Sequence, residues 1–350
     1  MSLELTDFIT QVFLNPVFFL VTILLSAVIF FNGFSDAPNA IATCVSTRAI
    51  SPKRSLIMAA IFNFLGIFVM SIVNAAVVYT IFNLVKFSGD SSKSLITLIA
   101  ALISIIVWTI ITSRRAIPTS ESHALIAALT GSSVALMNNF SSVNGGEWIK
   151  VLLGMAISIV VGFIVGYVVC KIVESIFKNI DRRKTLKGFK YAQIFGGASM
   201  SFMHGAQAGQ KFIGVFILGI MLVSGQTSAS GFSIPIWLMI YCSLLMTIGT
   251  SIGGYKIIKT VGTKMSNLEL YQGAIVDIST AGCLLFASVF GIPMSTSHTK
   301  SLVITGVGAC RRLSNINWRV VKNILLAGVI TFPCCGLVAY VITKILLIFC

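Results

Sequence analysis

Long apolar runs separated by short polar connections dominate this chain and constrain what it can fold into. The run at 55–85 contains no charged residue, and the run at 16–42 contains only Asp36. A membrane-spanning helix needs about 20 apolar residues. Only 10% of the 350 residues are charged, whereas a soluble domain carries about 25%. The sequence therefore predicts an all-α, polytopic membrane protein and argues against a water-soluble enzyme.

Cutting the chain at its polar connections predicts about ten membrane passages. They are expected at 16–47, 55–85, 94–112, 116–137, 148–177, 192–223, 234–255, 270–292, 293–309 and 320–349. Lys and Arg concentrate in every second connection, most densely at 171–191. Because basic loops remain in the cytoplasm, we expect this linker inside and both termini outside a plasma membrane.

The formal net charge of +15 could indicate nucleic-acid binding, since clustered Lys and Arg also contact phosphate backbones. Their concentration in the connections indicates membrane orientation instead, so no nucleic-acid partner is expected. The eight cysteines form no Cys-x-x-Cys pair and lie mostly within apolar runs. We expect them to be small buried side chains rather than a disulfide or zinc framework, and we expect no bound cofactor.

Two short motifs occur in the same order in both halves of the chain. A glycine-rich polar segment at 32–40 is followed, 85 residues after its Gly33, by Pro-x-Ser-x-Ser-His at 118–123. A similar segment at 204–211 is followed, 88 residues after its Gly205, by the same pattern at 293–298. We expect both glycine-rich segments to break their helices.

The motif order predicts a first repeat at 1–170, a basic cytoplasmic linker at 171–191 and a second repeat at 192–350. Five passages separate the starts of the two halves, and an odd number inverts the second half. Inverted repeats with broken helices and hydroxyl-rich hairpins are the plan of many secondary transporters.

Asp36 is the strongest candidate for binding a cation. A charged residue at membrane depth costs about 2.5 to 3.5 kcal/mol and is normally paired, protonated or bound to an ion. Gly33, Pro38 and Asn39 would free backbone carbonyls around it. Asp36 and Asn39 are therefore the first candidate ligands of Na⁺, and Asp277 is a second cation ligand or proton carrier. A protonated Asp36 satisfied within its helix is the alternative.

The Pro-x-Ser-x-Ser-His segments are candidates for binding an anion. Hydroxyls and free amides at a helix N-terminus attract negative charge. The candidate hydroxyls are those of Thr119, Ser120, Ser122, Ser295, Thr296 and Ser297. Ordinary N-capping is the alternative for each segment alone. The repeat would bring both segments together near the midplane, where one oxyanion could accept from both.

Histidine and lysine side chains lie in or near the same motifs. His123, His204 and His298 are either packed residues or direct participants. Lys211 and Lys300 are less ordinary, because an ammonium near membrane depth lines a polar path, compensates a carboxylate or snorkels to the surface.

Other mechanisms explain less of the pattern. An intramembrane aspartyl protease could pair Asp36 with Asp277, and a serine protease could pair a loop serine with a histidine. Neither accounts for duplicated hydroxyl segments, so we do not expect an enzyme. Helix breaks around a central site suit alternating access better than the open pore of a channel.

Two segments make the chain similar to a known family. Residues 32–52, NGFSDAPNAIATCVSTRAISP, and residues 202–216, FMHGAQAGQKFIGVF, resemble the two signature copies of the PiT family of inorganic phosphate transporters. The resemblance implies a symporter, generally a homodimer, that imports phosphate with Na⁺ or H⁺.

The resemblance also implies residue roles. It places Asp36 and Asn39 at the cation and phosphate site, with the loop hydroxyls around the phosphate. It places Gln207 and Gln210 at the second-half counterparts, which assigns Gln207 to the cation and Gln210 to the phosphate.

Three positions depart from the family pattern. Ser35 precedes Asp36 where the family has an Asn-Asp pair, Ala208 replaces a common Asp, and Asp277 stands where a Glu is usual. The missing acid at Ala208 leaves the number and identity of the coupled ions open. Another tetrahedral oxyanion such as sulfate, or a receptor that binds phosphate without moving it, is the alternative function.

Overall fold

The structure is a computed structural model that describes residues 4–87, 90–114, 120–225, 233–264, 268–311 and 318–349. Over these residues the regular structure is helical, apart from one isolated antiparallel bridge between Val85 and Val143. The predicted all-α class is confirmed.

The helices follow one another along the chain with short connections. They are α1 (Leu5–Leu14), α2 (Pro16–Ser35), α3 (Ala37–Ser46), α4 (Pro52–Val73), α5 (Ala76–Phe82), α6 (Ser91–Arg114), α7 (Glu121–Met137), α8 (Gly145–Phe177), α9 (Arg182–Val223), α10 (Ile236–Lys264), α11 (Leu270–Val289), α12 (Thr296–Arg311) and α13 (Trp318–Ile348). A single 3₁₀ turn, Phe140–Ser142, lies between α7 and α8.

Within the described ranges, eight helical segments are long and apolar enough to cross a membrane. They are α2 with α3, α4, α6, α8, α9, α10, α11 and α13. The other two of the ten predicted passages correspond to α7 and α12, which have 17 and 16 residues. A helix of 17 residues is about 26 Å long, slightly shorter than a hydrocarbon core. The count of ten therefore stays a prediction.

The prediction of one continuous passage at 55–85 is wrong. Helix α4 ends at Val73, Asn74 is extended, and the seven-residue α5 begins at Ala76. The Asn74 Oδ1 accepts a hydrogen bond of 2.9 Å from the Ala76 N–H, which helps to start the new helix. The unbroken apolar run misled the prediction because α5 is buried inside the protein, where an apolar sequence is needed without a full crossing.

The basic segment 171–191 is mostly helical. Helix α8 continues to Phe177 and α9 begins at Arg182, so only residues 178–181 lie between them. Asp181 caps α9 by accepting a 3.0 Å hydrogen bond from the Arg183 N–H. The basic side chains therefore lie largely on two helix ends, and the position of this segment in the cytoplasm stays a prediction.

Helix α9 lies at the centre of the bundle. In its most apolar stretch 89% of residues are buried, against 28% in α8 and 33% in α13. Many large apolar side chains on α8 and α13 are exposed, including those of Ile149, Leu152, Ile164, Ile172, Val329, Leu337 and Ile345. Apolar faces of this extent are stable against lipid rather than water. The protein is thus a multi-pass membrane protein with α8 and α13 at its periphery.

Equivalent helices of the two halves make equivalent contacts. Helix α2 packs on α10 and α9 packs on α4, while α7 packs on α13 and α12 packs on α8. A Cβ atom at Gly33 would overlap the Met246 carbonyl oxygen, and one at Gly205 would overlap the Asn63 carbonyl oxygen. The repeated motifs therefore correspond to repeated packing, whereas the inverted orientation of the halves stays a prediction.

Candidate functional site

The first glycine-rich segment divides a helix at Asp36. Helix α2 ends at Ser35 and α3 begins at Ala37, as the sequence predicts. Pro38 has no N–H to donate to the preceding turn. The Asp36 N–H still donates to the Asn32 carbonyl at 2.9 Å, so the division at Asp36 occurs without unwinding of the chain.

The prediction of a second break at 204–211 is wrong, because α9 runs uninterrupted from Arg182 to Val223. No proline lies in this segment, and a glycine within a helix costs only about 1 kcal/mol. Gly205 and Gly209 instead bring α9 close to α4, where added Cβ atoms would overlap Asn63 and Ile67.

The two hydroxyl-rich segments cap the helices that follow them. The Ser120 Oγ accepts a hydrogen bond from the His123 N–H at 3.4 Å, and the Ser295 Oγ accepts one from the His298 N–H at 3.3 Å. The N-capping alternative therefore holds for these two serines. Each capping hydroxyl keeps its own hydrogen to donate to a ligand. Thr119 lies outside the described residues.

The two segments meet in the interior. The rings of His123 and His298 have centroids 5.0 Å apart. The Lys211 Nζ on α9 donates to the Ser122 Oγ at 2.8 Å and to the Met294 carbonyl oxygen at 2.5 Å. One buried ammonium group thus contacts both segments.

The Asp36 carboxylate of the first half lies against the second segment. Its Oδ1 accepts a hydrogen bond from the Ser297 Oγ at 3.2 Å and one from the Asn39 Nδ2 at 3.5 Å. None of the ion pairs found among the described residues involves Asp36. A carboxylate and a hydroxyl are oxygen ligands of the type that Na⁺ prefers.

Glu121 is a half-buried acid that the sequence did not lead us to select. Its Oε2 accepts from the Asn32 Nδ2 at 2.7 Å, and its Oε1 accepts from the Ser35 Oγ at 2.7 Å. These bonds join the N-terminus of α7 to the end of α2. The signal was available, because Glu121 is the only acid in the predicted passage at 116–137, as Asp36 is in its own.

Asp277 is paired with a fixed ammonium group. Its Oδ1 lies 2.8 Å from the Lys300 Nζ, and its Oδ2 accepts from the Thr43 Oγ1 at 2.6 Å and the Gln193 Nε2 at 2.6 Å. The Lys300 Nζ donates further to the Asn39 carbonyl oxygen at 2.9 Å. The positive charge beside Asp277 is therefore that of a lysine side chain. A role for Asp277 in binding an ion stays a prediction.

The side chain of Gln207 holds the second hydroxyl segment. Its Nε2 donates to the Ser288 Oγ at 2.9 Å, and its Oε1 accepts from the Met294 N–H at 3.1 Å. The Gln210 Nε2 donates to the Asn74 carbonyl oxygen at 2.7 Å, at the α4–α5 junction. The cation role of Gln207 and the phosphate role of Gln210 stay predictions.

Hydrogen bonds between the motifs are equivalent in the two halves. Alignment on the glycine-rich and Pro-x-Ser-x-Ser-His segments matches Asn32 with His204 and Glu121 with Thr296. The Asn32–Glu121 hydrogen bond is 2.7 Å long, and the corresponding His204 Nδ1 and Thr296 Oγ1 are 3.0 Å apart. The repeat thus extends to side-chain contacts within the site.

Comparison with known sequences identifies the family to which this chain belongs. Residues 32–339 match the sequence profile of the phosphate transporter family. The chain belongs to the phosphate transporter family. Membership confirms the resemblance drawn from residues 32–52 and 202–216, and it covers both halves of the site.

Two relatives in the phosphate transporter family match over nearly their full length. The chain is 36% identical to a probable low-affinity inorganic phosphate transporter of Bacillus subtilis, over 91% of this chain and 94% of the relative. It is 34% identical to a protein of the same description from Rhizobium meliloti, over 89% of this chain and 90% of the relative.

A solved structure shares the fold of this phosphate transporter family member. The structure titled "The sodium-dependent phosphate transporter" aligns with a TM-score of 0.84 over 96% of this chain and 100% of that chain. The sequence identity is 22%, so the likeness concerns the fold.

Proposed function

We propose that this protein imports inorganic phosphate across the plasma membrane by symport with a cation, through alternating access. The observation that carries the proposal is the meeting of the two hydroxyl segments, since the Lys211 ammonium contacts both of them. Family membership and the names of the relatives support phosphate as the substrate. The role is transport rather than catalysis.

Phosphate binds between the N-termini of α7 and α12. Both helices begin at hydroxyl segments that lie together, so their free amides and positive dipole ends favour an anion in the same region. The hydroxyls of Ser120, Ser122, Ser295, Thr296 and Ser297, with Thr119 in the first segment, supply donors to the phosphate oxygens. The segments contribute from two halves, which allows the site to be enclosed when they approach.

The co-transported cation binds at Asp36 and Asn39, beside the Ser297 hydroxyl. Their oxygens form a hard ligand set on the first-half side of the phosphate. Na⁺ is the first candidate, because the structurally similar protein is named as sodium-dependent; H⁺ carried by Asp36 is the second. Gln207 and Asp277 are the further candidate cation ligands, and both have protein partners in the structure.

Charge explains why phosphate must travel with a cation. Phosphate carries between one and two negative charges at neutral pH, and charged groups are costly at membrane depth. A cation bound beside the anion offsets that charge and couples uptake to the ion gradient. The halves 1–170 and 192–350 act as inverted repeats, with the basic segment in the cytoplasm, both termini outside and the protein assembled as a homodimer.

Radiolabelled phosphate uptake by the purified protein in vesicles tests the proposal. We expect accumulation above the outside concentration when an inward Na⁺ gradient is imposed, and none after an ionophore dissipates that gradient. A separate H⁺ gradient distinguishes the two cations. Arsenate should compete, and sulfate should compete weakly. Binding without accumulation would indicate a receptor, and stronger competition by sulfate would change the substrate.

A further inference from the structure

The two glycine-rich segments carry different charges at equivalent positions. Alignment of Gly33 with Gly205 matches Asp36 with Ala208 and Asn39 with Lys211. These counterparts each lie one position after Gln207 and Gln210, where the resemblance had placed them. The first half therefore presents a carboxylate and an amide, the oxygen ligands of a cation. The second half presents a methyl group and an ammonium group at the same two places.

Lys211 is buried, and its hydrogen-bond partners are neutral. Its side chain is 1% exposed, and its Nζ donates to the Ser122 hydroxyl and the Met294 carbonyl. The ion pairs found in the described part of the chain do not include it, whereas Lys300 is paired with Asp277 at 2.8 Å. A buried charge is expensive unless an opposite charge compensates it. The Asp36 carboxylate interacts with Lys211 electrostatically but forms no ion pair with it. The direct contact of the ammonium with both hydroxyl segments therefore leaves it placed to bind an anionic ligand.

Equivalent serines connect these positions to the hydroxyl segments. Matching His123 with His298 also matches Ser122 with Ser297. Ser297 donates to the Asp36 carboxylate, and Ser122 accepts from the Lys211 ammonium. Each glycine-rich segment therefore contacts the hydroxyl segment of the other half, one with a negative and one with a positive group.

We infer that Lys211 is a fixed counter-cation for the bound phosphate and replaces a transported cation on the second-half side of the site. The inference rests on the proposed function and deepens it. The ammonium donates to the oxygens of a tetrahedral oxyanion held by both hydroxyl segments. Transported cations are then confined to the Asp36 side, and fewer of them accompany each phosphate than in a site with an acid in both halves.

Phosphate affinity of Lys211 variants tests the inference. Lys211→Gln keeps a donor for Ser122 and Met294 but removes the charge. Titration calorimetry with inorganic phosphate, on detergent-purified protein in Na⁺, should show binding weakened by about tenfold to a hundredfold. Lys211→Arg should recover part of the affinity. The control is Lys171→Gln on the exposed part of α8, which should match the wild type.

A second variant copies the first-half pair into the second half. In Ala208→Asp with Lys211→Asn, a mobile cation should take the place of the ammonium. The logarithm of the phosphate affinity should then rise with the logarithm of the Na⁺ concentration with a slope about one unit steeper than in the wild type. An unchanged slope, or wild-type affinity in Lys211→Gln, would overturn the inference.

Two further measurements distinguish a failure of the inference from misfolding of a variant and from a failure of the proposed function. The elution volume and unfolding temperature of each purified variant identify those that keep the fold, and either Lys211→Gln or the double variant is sufficient for the decision. The proposed function fails if wild-type vesicles do not accumulate phosphate. The inference alone fails if wild-type vesicles accumulate it and the Lys211 variants bind it as the wild type does.

Discussion

The two halves of the molecule share their contacts and differ in their charges. The Asn32–Glu121 pair in the first half corresponds to the His204–Thr296 pair in the second. The first half has the acid Glu121 in its hydroxyl segment, whereas its counterpart Thr296 is neutral. A repeated scaffold can thus fix where side chains meet and still build a site with a negative side and a positive side.

The helices that carry these charges differ as well. One helix ends and another begins at Asp36, where Pro38 follows, but α9 is continuous past Lys211. The Asn39 carbonyl in the first turn of α3 accepts a 2.9 Å hydrogen bond from the Lys300 ammonium. We therefore expect the first half to hold the exchangeable cation and the rigid α9 to hold the fixed one.

The largest effect on phosphate uptake is expected from removing the negative charge of Asp36. Asp36→Asn should lower concentrative phosphate uptake by about a hundredfold or more, because a mobile cation loses its charged ligand. Vesicle uptake under a Na⁺ gradient measures this, with Asp181→Asn at the exposed N-cap of α9 as the control. Wild-type uptake in Asp36→Asn would show that the carboxylate of the first half does not bind the transported cation, which would contradict the proposed difference between the halves.

The second-largest effect, on stability, is expected from loss of the buried ion pair. Lys300→Met leaves the Asp277 carboxylate buried without its ammonium partner and should lower the free energy of unfolding by about 3 to 5 kcal/mol. Thermal and denaturant unfolding in detergent measures the change. Combining it with Asp277→Asn should recover most of the loss. If the single variant is as stable as the wild type, the pair does not hold α11 and α12 to α3.

Neutralising the acid in the first hydroxyl segment should have a smaller effect on phosphate uptake. Glu121→Gln removes the charge that accepts from Asn32 and Ser35 and should lower uptake about tenfold, which corresponds to about 1.4 kcal/mol. Thr296→Val at the equivalent position removes one neutral contact and should cost less than half of that free energy. Equal losses in the two variants would show that charge is not what separates the halves.

The smallest effect is expected from removing the serine helix caps, and the loss of stability should be equal in both halves. Ser120→Ala and Ser295→Ala each remove one helix cap and should each lower stability by about 1 kcal/mol. Together they should weaken phosphate binding more than Na⁺ binding, since only the anion needs hydroxyl donors. Calorimetry with each ion separately measures this. Unchanged phosphate affinity in the double variant would argue against the hydroxyl site.

Local chemistry made part of this structure predictable. The division of the helix at Asp36 follows from Pro38, and the caps at Ser120 and Ser295 follow from serine before an apolar helix. The second break was predicted from glycines alone, which a helix tolerates when they allow close packing. The pairing of Lys300 with Asp277 depends on how α11 and α12 pack on α3, which no local pattern reports.

The most direct test is a structure of the protein determined with phosphate and Na⁺ bound. The account predicts a phosphate within hydrogen-bond distance of hydroxyls from both segments and of the Lys211 Nζ, with a cation at Asp36 and Asn39 and none beside Ala208. A phosphate contacting only one segment, or a second cation beside Ala208, would contradict it.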